Sequence, residues 1–318
     1  MWIFRWLLLA VVLAGVASFI GLFGQYHWLA DLTNHFRWYY LAVAILGIMV
    51  SSLVRKWHWF VFAIIVAGLN YEIIYLYKSQ LDGDHGNITE ENFAVISAAQ
   101  VNVNLNNTNT ELLLQWLQQR QPDIVAVEEY TPTWSQALNQ LGNLYPYKIE
   151  RPRNDGFGIV LFSRYPIDNL QIQHFGPDRL PSITGVVLWN QFKIQLLITH
   201  PVPPMSQSMA ISRDLQLEDI AWWLKYQSNP VVLLGDLNTT PWGYSFKKLI
   251  NTANLKSTRT GAGLLPTWPG KLPLIPIDHI LLSKSLEVIS VEVGPDIGSD
   301  HLPMIAEIGL KNNSNQQQ

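Results

Sequence analysis

The sequence predicts an α/β protein: two packed, mixed β-sheets with helices outside them, preceded by three transmembrane α-helices. Three observations carry this prediction. The longest apolar runs fall before residue 78. From about residue 92, short β-rich runs alternate with stretches of helical spacing. In that second region strands outnumber helices and hairpins mix with crossovers, the pattern of sheets packed face to face under helices.

The first region holds three runs: WLLLAVVLAGVASFIGLFG at about 6–24, WYYLAVAILGIMVSSLV at about 38–54, and WHWFVFAIIVAGLNYEIIYLY at about 57–77. Each approaches or reaches the ~20 residues that cross ~30 Å of hydrocarbon. Trp6, Trp38, Tyr39, Tyr40, Trp57, Trp59, Tyr75 and Tyr77 stand at their ends, as interfacial aromatic belts require. The first run is long for a signal peptide, lacks a small-x-small cleavage site before a polar region, and is followed at once by two more. Arg5 precedes the first run, and Arg55 and Lys56 fill the turn between the second and third. Asp31 and Arg37 roughly cancel in the loop after the first run, and the segment 78–91 is rich in acids. The positive-inside rule then puts the N-terminus and the 55–56 turn in the cytoplasm and everything after residue 78 outside it. Glu72 lies within reach of the exit of the third run, and no other acid or base within the runs offers it a relay partner.

The chain therefore divides into a membrane anchor at 1–77, an acidic polar linker at 78–91, a folded region at 92–310 and a polar tail at 311–318, where KNNSNQQQ predicts disorder. Strands are expected at 93–103, 122–130, 158–163, 185–189, 192–200, 230–236, 277–283, 286–293 and 303–310. Asn190-Gln191 marks a hairpin. Helices are expected at 110–120 and at 212–227, the latter with Ser212 as N-cap.

Charged residues make up only 14% of the chain, against roughly 25% in soluble domains, which fits membrane contact. The net charge of −3 provides no global basic field to gather nucleic acid. Cys is absent, which excludes thiolate metal sites and a Cys nucleophile. No G-x-S-x-G elbow, P-loop or G-x-G-x-x-G after a strand is present.

Polar residues instead gather where apolar strands stop, the place open sheets put their sites. Asp236 and Asn238 follow VVLL directly and, by period-two alternation, project to one side. A carboxylate and an amide so placed can hold or orient a water. Glu129 closes IVAVEE, and its neighbour Glu128 points the opposite way, so at most one of the two faces a given site. Asn102 and Asn104 share one face at the end of the first strand. Asp278 and His279 interrupt PIDHILL, and His200 ends FKIQLLITH. Asp300 and His301 precede the last strand; that pair can divide the work, with Asp300 near a metal and His301 on substrate. Hard oxygen ligands at Glu129, Asp236, Asn238 and Asp300 suit Mg²⁺ or Mn²⁺. Zinc fits less well, since there is no Cys and no His pair at ligand spacing.

In order and in content, NVN (102–104), PDIVAVEEY (122–130), GFGIVLFSRYPI (156–167), ITH (198–200), GDLNTTPW (235–242), IDHILLS (277–283) and GSDHLPMIAEI (298–308) resemble the endonuclease/exonuclease/phosphatase superfamily. The likeness is to its deoxyribonuclease and sphingomyelinase branches and covers about 92–310. It implies a four-layer α/β sandwich and metal-dependent hydrolysis of a phosphoester. It further implies that Glu129 binds Mg²⁺ or Mn²⁺, with Asp300 a second carboxylate at the metal. Asp236 and Asn238 then position water and phosphate, Asp278 and His301 form an acid–imidazole dyad, and His200 and Asn102 complete the catalytic set. Gln100 and Val101 stand where many relatives have an aromatic residue or Ser. Asn104 stands where the abasic-site branch has an acid.

The expected function is thus a membrane-anchored, divalent-metal-dependent phosphodiesterase whose substrate is a lipid head group or a nucleic acid. An extracytoplasmic endonuclease and a catalytically inactive binding module are the competing readings. Residues 92–318 carry 16 Lys and Arg against 18 Asp and Glu, a poor charge balance for an enzyme that tracks many nucleic-acid phosphates.

Overall fold

The computed structural model describes residues 2–79 and 93–311. Most of the acidic linker, and the tail from residue 312, lie outside the described residues. The chain forms two compact units: residues up to 82 together with Thr240–Lys247, and the remainder.

The first unit is helical. It contains α1 (Trp2–Gly21), a short α2 (Trp28–Thr33), α3 (Arg37–Leu53) and α4 (Trp57–Ser79). Three stretches, Phe4–Gly21, Trp28–Leu53 and Trp57–Tyr75, are long and apolar enough to cross a membrane. At 1.5 Å per residue the shortest, of 18 residues, spans about 27 Å. The second stretch starts ten residues before the expected 38, because α2 precedes α3. Small residues line the helix contacts: Ala14, Ala44 and Val66 form the buried cluster, and a Cβ on Gly47 would meet Val11 at 2.6 Å. Leu13, Phe19, Leu46, Met49 and Ile65 face outward. This inversion of the soluble pattern is what helices packed in hydrocarbon require.

Arg37 is not the loop charge that simple counting suggests. It opens α3, is fully buried, donates from Nη1 to Asn70 Oδ1 (3.2 Å) and from Nε and Nη2 to Asn34 Oδ1 (3.0 and 2.6 Å). Asn70 in turn donates to Ser18 Oγ at 2.8 Å. A buried guanidinium is tolerable only with its donors satisfied, and residues 34 and 70 supply the acceptors from two separate helices.

The second unit contains two six-stranded sheets. Within them are β1 (Phe93–Asn102), β2 (Ile124–Glu128), β3 (Tyr147–Arg151), β4 (Ile159–Ser163), β5 (Ile167–Phe175), β6 (Leu180–Trp189), β7 (Phe192–Thr199), β8 (Val231–Asp236), β9 (Leu255–Ser257), β10 (Asp278–Ser283), β11 (Glu287–Val293) and β12 (Met304–Lys311). One sheet has the order β11-β12-β1-β2-β4-β3 and the other β5-β6-β7-β8-β10-β9. Only β1 with β2 and β7 with β8 pair in parallel, so both sheets are mixed. α5 (Glu111–Arg120) and α6 (Pro132–Leu138) cover the first sheet, and α7 (Gln207–Lys225) packs on the second, with Trp223 against Phe175 at 5.8 Å. α8 (Tyr244–Ala253) follows β8. The helix–sheet–sheet–helix order is the expected sandwich.

Apolar side chains from both sheets fill the space between them, including Ile96, Ala98, Ala126, Ile183, Leu196, Ile198, Val232, Leu234, Ile280 and Ile308. On each strand these residues alternate with outward-facing ones, the period-two rule of β-structure. The Asn190-Gln191 turn is present, with Asn190 in the left-handed region at φ 51°. Strands β3, β5 and the three-residue β9, and helices α2, α6 and α8, are not predicted by the sequence pattern: β3 and β5 show no clean apolar alternation, and β5 carries a register shift between Asp168 and Gln171. Lys311 belongs to β12 rather than to the tail.

The start of α7 also departs from expectation. Ser206 caps it, accepting from Met209 N–H at 3.3 Å, and the helix begins at Gln207. Ser212 lies in the body of the helix, where its hydroxyl donates to Asp178 Oδ2 at 2.5 Å.

Candidate active site

The inward-facing row of five strands is apolar until its last or first position and then turns polar. On β1 the row reads Ile96, Ala98, Gln100, Asn102; on β2, Ile124, Ala126, Glu128; on β8, Val232, Leu234, Asp236; on β10, Asp278, Ile280, Leu282. The row of β7, Leu196 and Ile198, runs into His200. Register aligns these ends, with Asn102 opposite Glu128 and Asp278 opposite Asp236. Directly opposed residues in a sheet point to the same face, so the polar ends of both sheets converge at one edge.

Gly235 permits part of this. A Cβ there would lie 1.9 Å from Thr199 O of the neighbouring strand. Gly235→Ala must force β7 and β8 apart beside Asp236 and His200. A loss of about 1–3 kcal/mol in folding stability is expected, read as a lower urea midpoint at unchanged slope; an unchanged midpoint would contradict the close approach.

Asp236 Oδ2 is the meeting point. Asn102 Nδ2 donates to it at 3.2 Å, and His200 Nε2 and His301 Nε2 lie 3.5 and 3.6 Å away. Asp236 Oδ1 accepts from the N–H of Asn238 at 3.0 Å. Asn102 Nδ2 also donates to Glu129 Oε1 at 3.0 Å, and the other oxygen of Glu129 accepts from Leu105 N–H at 2.8 Å. Asn104 N–H donates to Asn102 Oδ1, which fixes the orientation of that amide. The imidazole of His301 is held by Asp278, with Nδ1 at 2.9 Å from Oδ2 and 3.2 Å from Oδ1.

Burial and charge set the protonation of these groups. Burial pulls the His301 pKa down, but the charges of Asp278 and Asp236 and the Asp278 hydrogen bond outweigh it and push it up to about 10. For Asp278, burial works upward, yet His301 and the hydrogen bond from Gln100 hold it below the usual carboxylate range. Burial also opposes the charged form of His200; the hydrogen bond and charge of Asp236 more than offset it and raise its pKa. At neutral pH His301 is therefore an imidazolium, a donor rather than a base.

Six of the expected site residues, Asn102, Glu129, His200, Asp236, Asp278 and His301, come together in this network. Asn238 differs from the expectation of strand alternation. It sits in the left-handed region at φ 51°, so its side chain turns aside and donates to Pro201 O at 3.0 Å. Asp300 stands on the exposed rim, where it accepts from Asn104 Nδ2 (2.5 Å) and Trp268 Nε1 (3.2 Å). His279 belongs elsewhere. Its Nε2 lies 2.8 Å from Thr239 O, and burial together with Arg259 lowers its pKa to about 3, so it is a neutral core residue.

Sequence reasoning missed two participants. Glu128 is not a solvated strand end: it is completely buried, and Gln100 Nε2 bridges its Oε2 (2.8 Å) to Asp278 Oδ1 (2.9 Å). Burial and the neighbouring Asp278 raise its pKa well above the ordinary value. Alternation along β1 and β2 would have placed both Gln100 and Glu128 on the inner row. Glu129 escapes that alternation, because φ 55° turns it out of the strand.

The donor set fits a hard divalent cation. Glu129 and Asp236 are carboxylates joined through one amide donor, Asn102, and no thiol is present among the described residues. Among the described residues, Asp236, Asp278 and His301 are the group whose ligand atoms all lie within 4.8 Å of one another. That closeness is explained by the Asp278–His301 ion pair, which occupies the imidazole Nδ1. Glu129 lies outside that ion pair, and its carboxylate could hold a cation.

Residues 99–301 match the Endonuclease/Exonuclease/phosphatase family. Among curated proteins, none is a significant sequence match. Solved structures share the fold at low identity. The human Nocturnin catalytic domain with bound sulfate is 20% identical, with a TM-score of 0.56 over 68% of this chain and 97% of that one. D. rerio TDP2 complexed with a single-strand DNA product is 19% identical, with a TM-score of 0.56 over 68% and 99%. Sphingomyelinase C from Streptomyces griseocarneus is 16% identical, with a TM-score of 0.50 over 69% and 100%. With a match across most of its second unit and the same two-sheet architecture, the chain belongs to the Endonuclease/Exonuclease/phosphatase family, whose members are generally hydrolases of phosphoesters and typically depend on a divalent metal.

Proposed function

We propose that this protein is a membrane-anchored phosphodiesterase that requires Mg²⁺ or Mn²⁺ and cleaves a phosphodiester in a lipid head group. The observation that carries the reading is the convergence on Asp236 Oδ2 of Asn102, His200 and His301, with His301 held by Asp278. Glu129 would hold the metal, with Asp300 as a second carboxylate at the rim. When bound, the metal would neutralise phosphate charge and stabilise the leaving oxygen.

The protein's own groups supply the rest. Asp236 accepts the proton of the attacking water, its carboxylate fixed through Oδ1 by Asn238 N–H. Asn102 orients that carboxylate through Nδ2. The His301 imidazolium donates to a non-bridging phosphate oxygen, where a charged donor is worth more than a neutral one. His200, packed on Phe157 at 5.6 Å, donates a second hydrogen bond.

A lipid substrate is favoured over nucleic acid by two features. The three apolar helices would anchor the chain in a bilayer. Three of the arginines that could follow a phosphate backbone are engaged: Arg153 with Asp155, Arg164 with Asp123 and Arg120 with Glu292. The nuclease reading retains the DNA-bound TDP2 fold as its support.

The full-length protein is expected to cleave bis-p-nitrophenyl phosphate, to lose at least 10²-fold in rate in EDTA and to recover with Mg²⁺ or Mn²⁺. Undiminished activity in chelator would rule out the metal. Turnover compared across sphingomyelin, phosphatidylinositol phosphates, plasmid DNA and nucleotides then identifies the substrate; preference for plasmid DNA would overturn the lipid assignment.

A further inference from the structure

Helix α7 carries a row of large apolar residues on the side where a soluble helix should be polar. Its sheet-facing side buries Ala210, Leu217, Ile220, Ala221 and Leu224 beside Ser212, Arg213 and Gln216. Its outer side carries Ile211, Leu215, Trp222 and Tyr226, which are 49, 44, 45 and 76% exposed. At 100° per residue these four fall within about 60° of one another, a row about 22 Å long. Met205, 76% exposed, precedes the helix, five residues after His200 in the chain.

The charges in and around the row are already paired. Glu218 pairs with Lys248 at 2.6 Å, Asp214 with Arg213 at 2.8 Å, and Asp219 accepts from Gly176 N–H at 3.0 Å. Lys225 places its ammonium 4.5 Å from the centre of the Trp222 ring. Trp, Tyr and a Lys whose stem lies along an aromatic surface are the composition of the lipid–water interface. The row offers roughly 500 Å², below the ~800 Å² per partner of a standard protein interface, so a second copy of the chain is poorly served by it. A bilayer is close at hand: Ser79 ends α4 and Phe93 begins β1, and those 14 peptide steps reach at most about 50 Å. Tethering at that range makes even weak surface binding effective.

We propose that α7 rests on the bilayer surface through Ile211, Leu215, Trp222 and Tyr226, a second membrane contact separate from the spanning helices. It rests on the membrane reading of those helices. The contact is apolar, needs no anionic lipid and resists salt.

The absence of native Cys permits a direct test on the full chain. Single variants Ile211→Cys, Leu215→Cys and Trp222→Cys carry a spin label in phosphatidylcholine nanodiscs. Asn190→Cys in the β6–β7 turn serves as the aqueous reference and Leu46→Cys on α3 as the hydrocarbon reference. The ratio of oxygen to nickel-chelate collision rates is expected to be at least threefold higher at the three α7 positions than at Asn190, unchanged in 1 M salt. Values at α7 equal to Asn190, with Leu46 reading hydrocarbon, overturn the surface contact alone. An aqueous reading at Leu46 removes the spanning helices and this inference with them. Spin–spin broadening at the α7 positions overturns it in favour of a second copy.

Discussion

Asp236→Asn is expected to lower phosphodiester turnover by about 10³-fold, within the range for a positioned acid–base group. The Asp236 carboxylate accepts on both sides: from Asn238 N–H through Oδ1, and from Asn102 with two imidazoles within 3.6 Å through Oδ2. An amide has one acceptor oxygen. If that oxygen keeps Asn238, the amide NH₂ confronts the Nδ2 of Asn102 and the Nε2–H of His301, and donor meets donor. If it turns to them, the Asn238 turn is left unpaired. The substitution also removes the negative charge that raises the pKa values of His200 and His301. The check is kcat on bis-p-nitrophenyl phosphate with saturating Mg²⁺, beside a thermal melt showing that the variant is folded. A folded variant with wild-type kcat would remove Asp236 from the chemistry.

The second large effect belongs to the Asp278–His301 pair. His301→Ala and Asp278→Asn are each expected to cost about 10²–10³-fold in kcat. Because the two act as one unit, the double variant should be no worse than the more damaging single by more than a few-fold. Strictly multiplicative losses would mean that Asp278 does not act through His301. The pair also predicts a pH signature in stability. The His301 pKa is about 10 when folded and ~6.5 when unfolded, so its ion pair stabilises fully below pH 6.5 and is lost as pH rises through about 10. Metal-free wild type should lose stability to urea across that window, and His301→Ala should show a flatter profile.

Much of this site is legible as chemistry at strand ends. VVLLGD, PIDHILL and FKIQLLITH each read as a buried row that ends or begins in a titratable group, and the structure brings Asp236, Asp278 and His200 to one edge. Where local backbone breaks the alternation, the reading fails. Asn238 and Glu129 both take left-handed conformations, at φ 51° and 55°, so the side each faces is set by a turn rather than by period two. The burial of Glu128 is not legible in the sequence, because a strand-end acid ordinarily meets water. Its burial depends on Asp278 and Gln100, which lie 150 and 28 residues away in the chain.

The same division runs through the helical unit and α7. Hydropathy alone locates three apolar helices, since hydrocarbon imposes length and composition on each helix separately. It does not show that Arg37 is buried against Asn34 and Asn70, because that pairing is made between helices. In α7, leucine and tryptophan spacing announces a helix, but not which of its two apolar sides faces the sheet. By itself, then, the sequence determined the three long apolar helices, α5, most of α7, most strands, the family and the identities of the reactive side chains. Those follow from local periodicity and from short motifs. Only the tertiary structure decided which carboxylate oxygen the imidazoles share, which glutamate is buried and which face of α7 is left to the outside. Each of these is fixed by contacts between residues far apart in the chain.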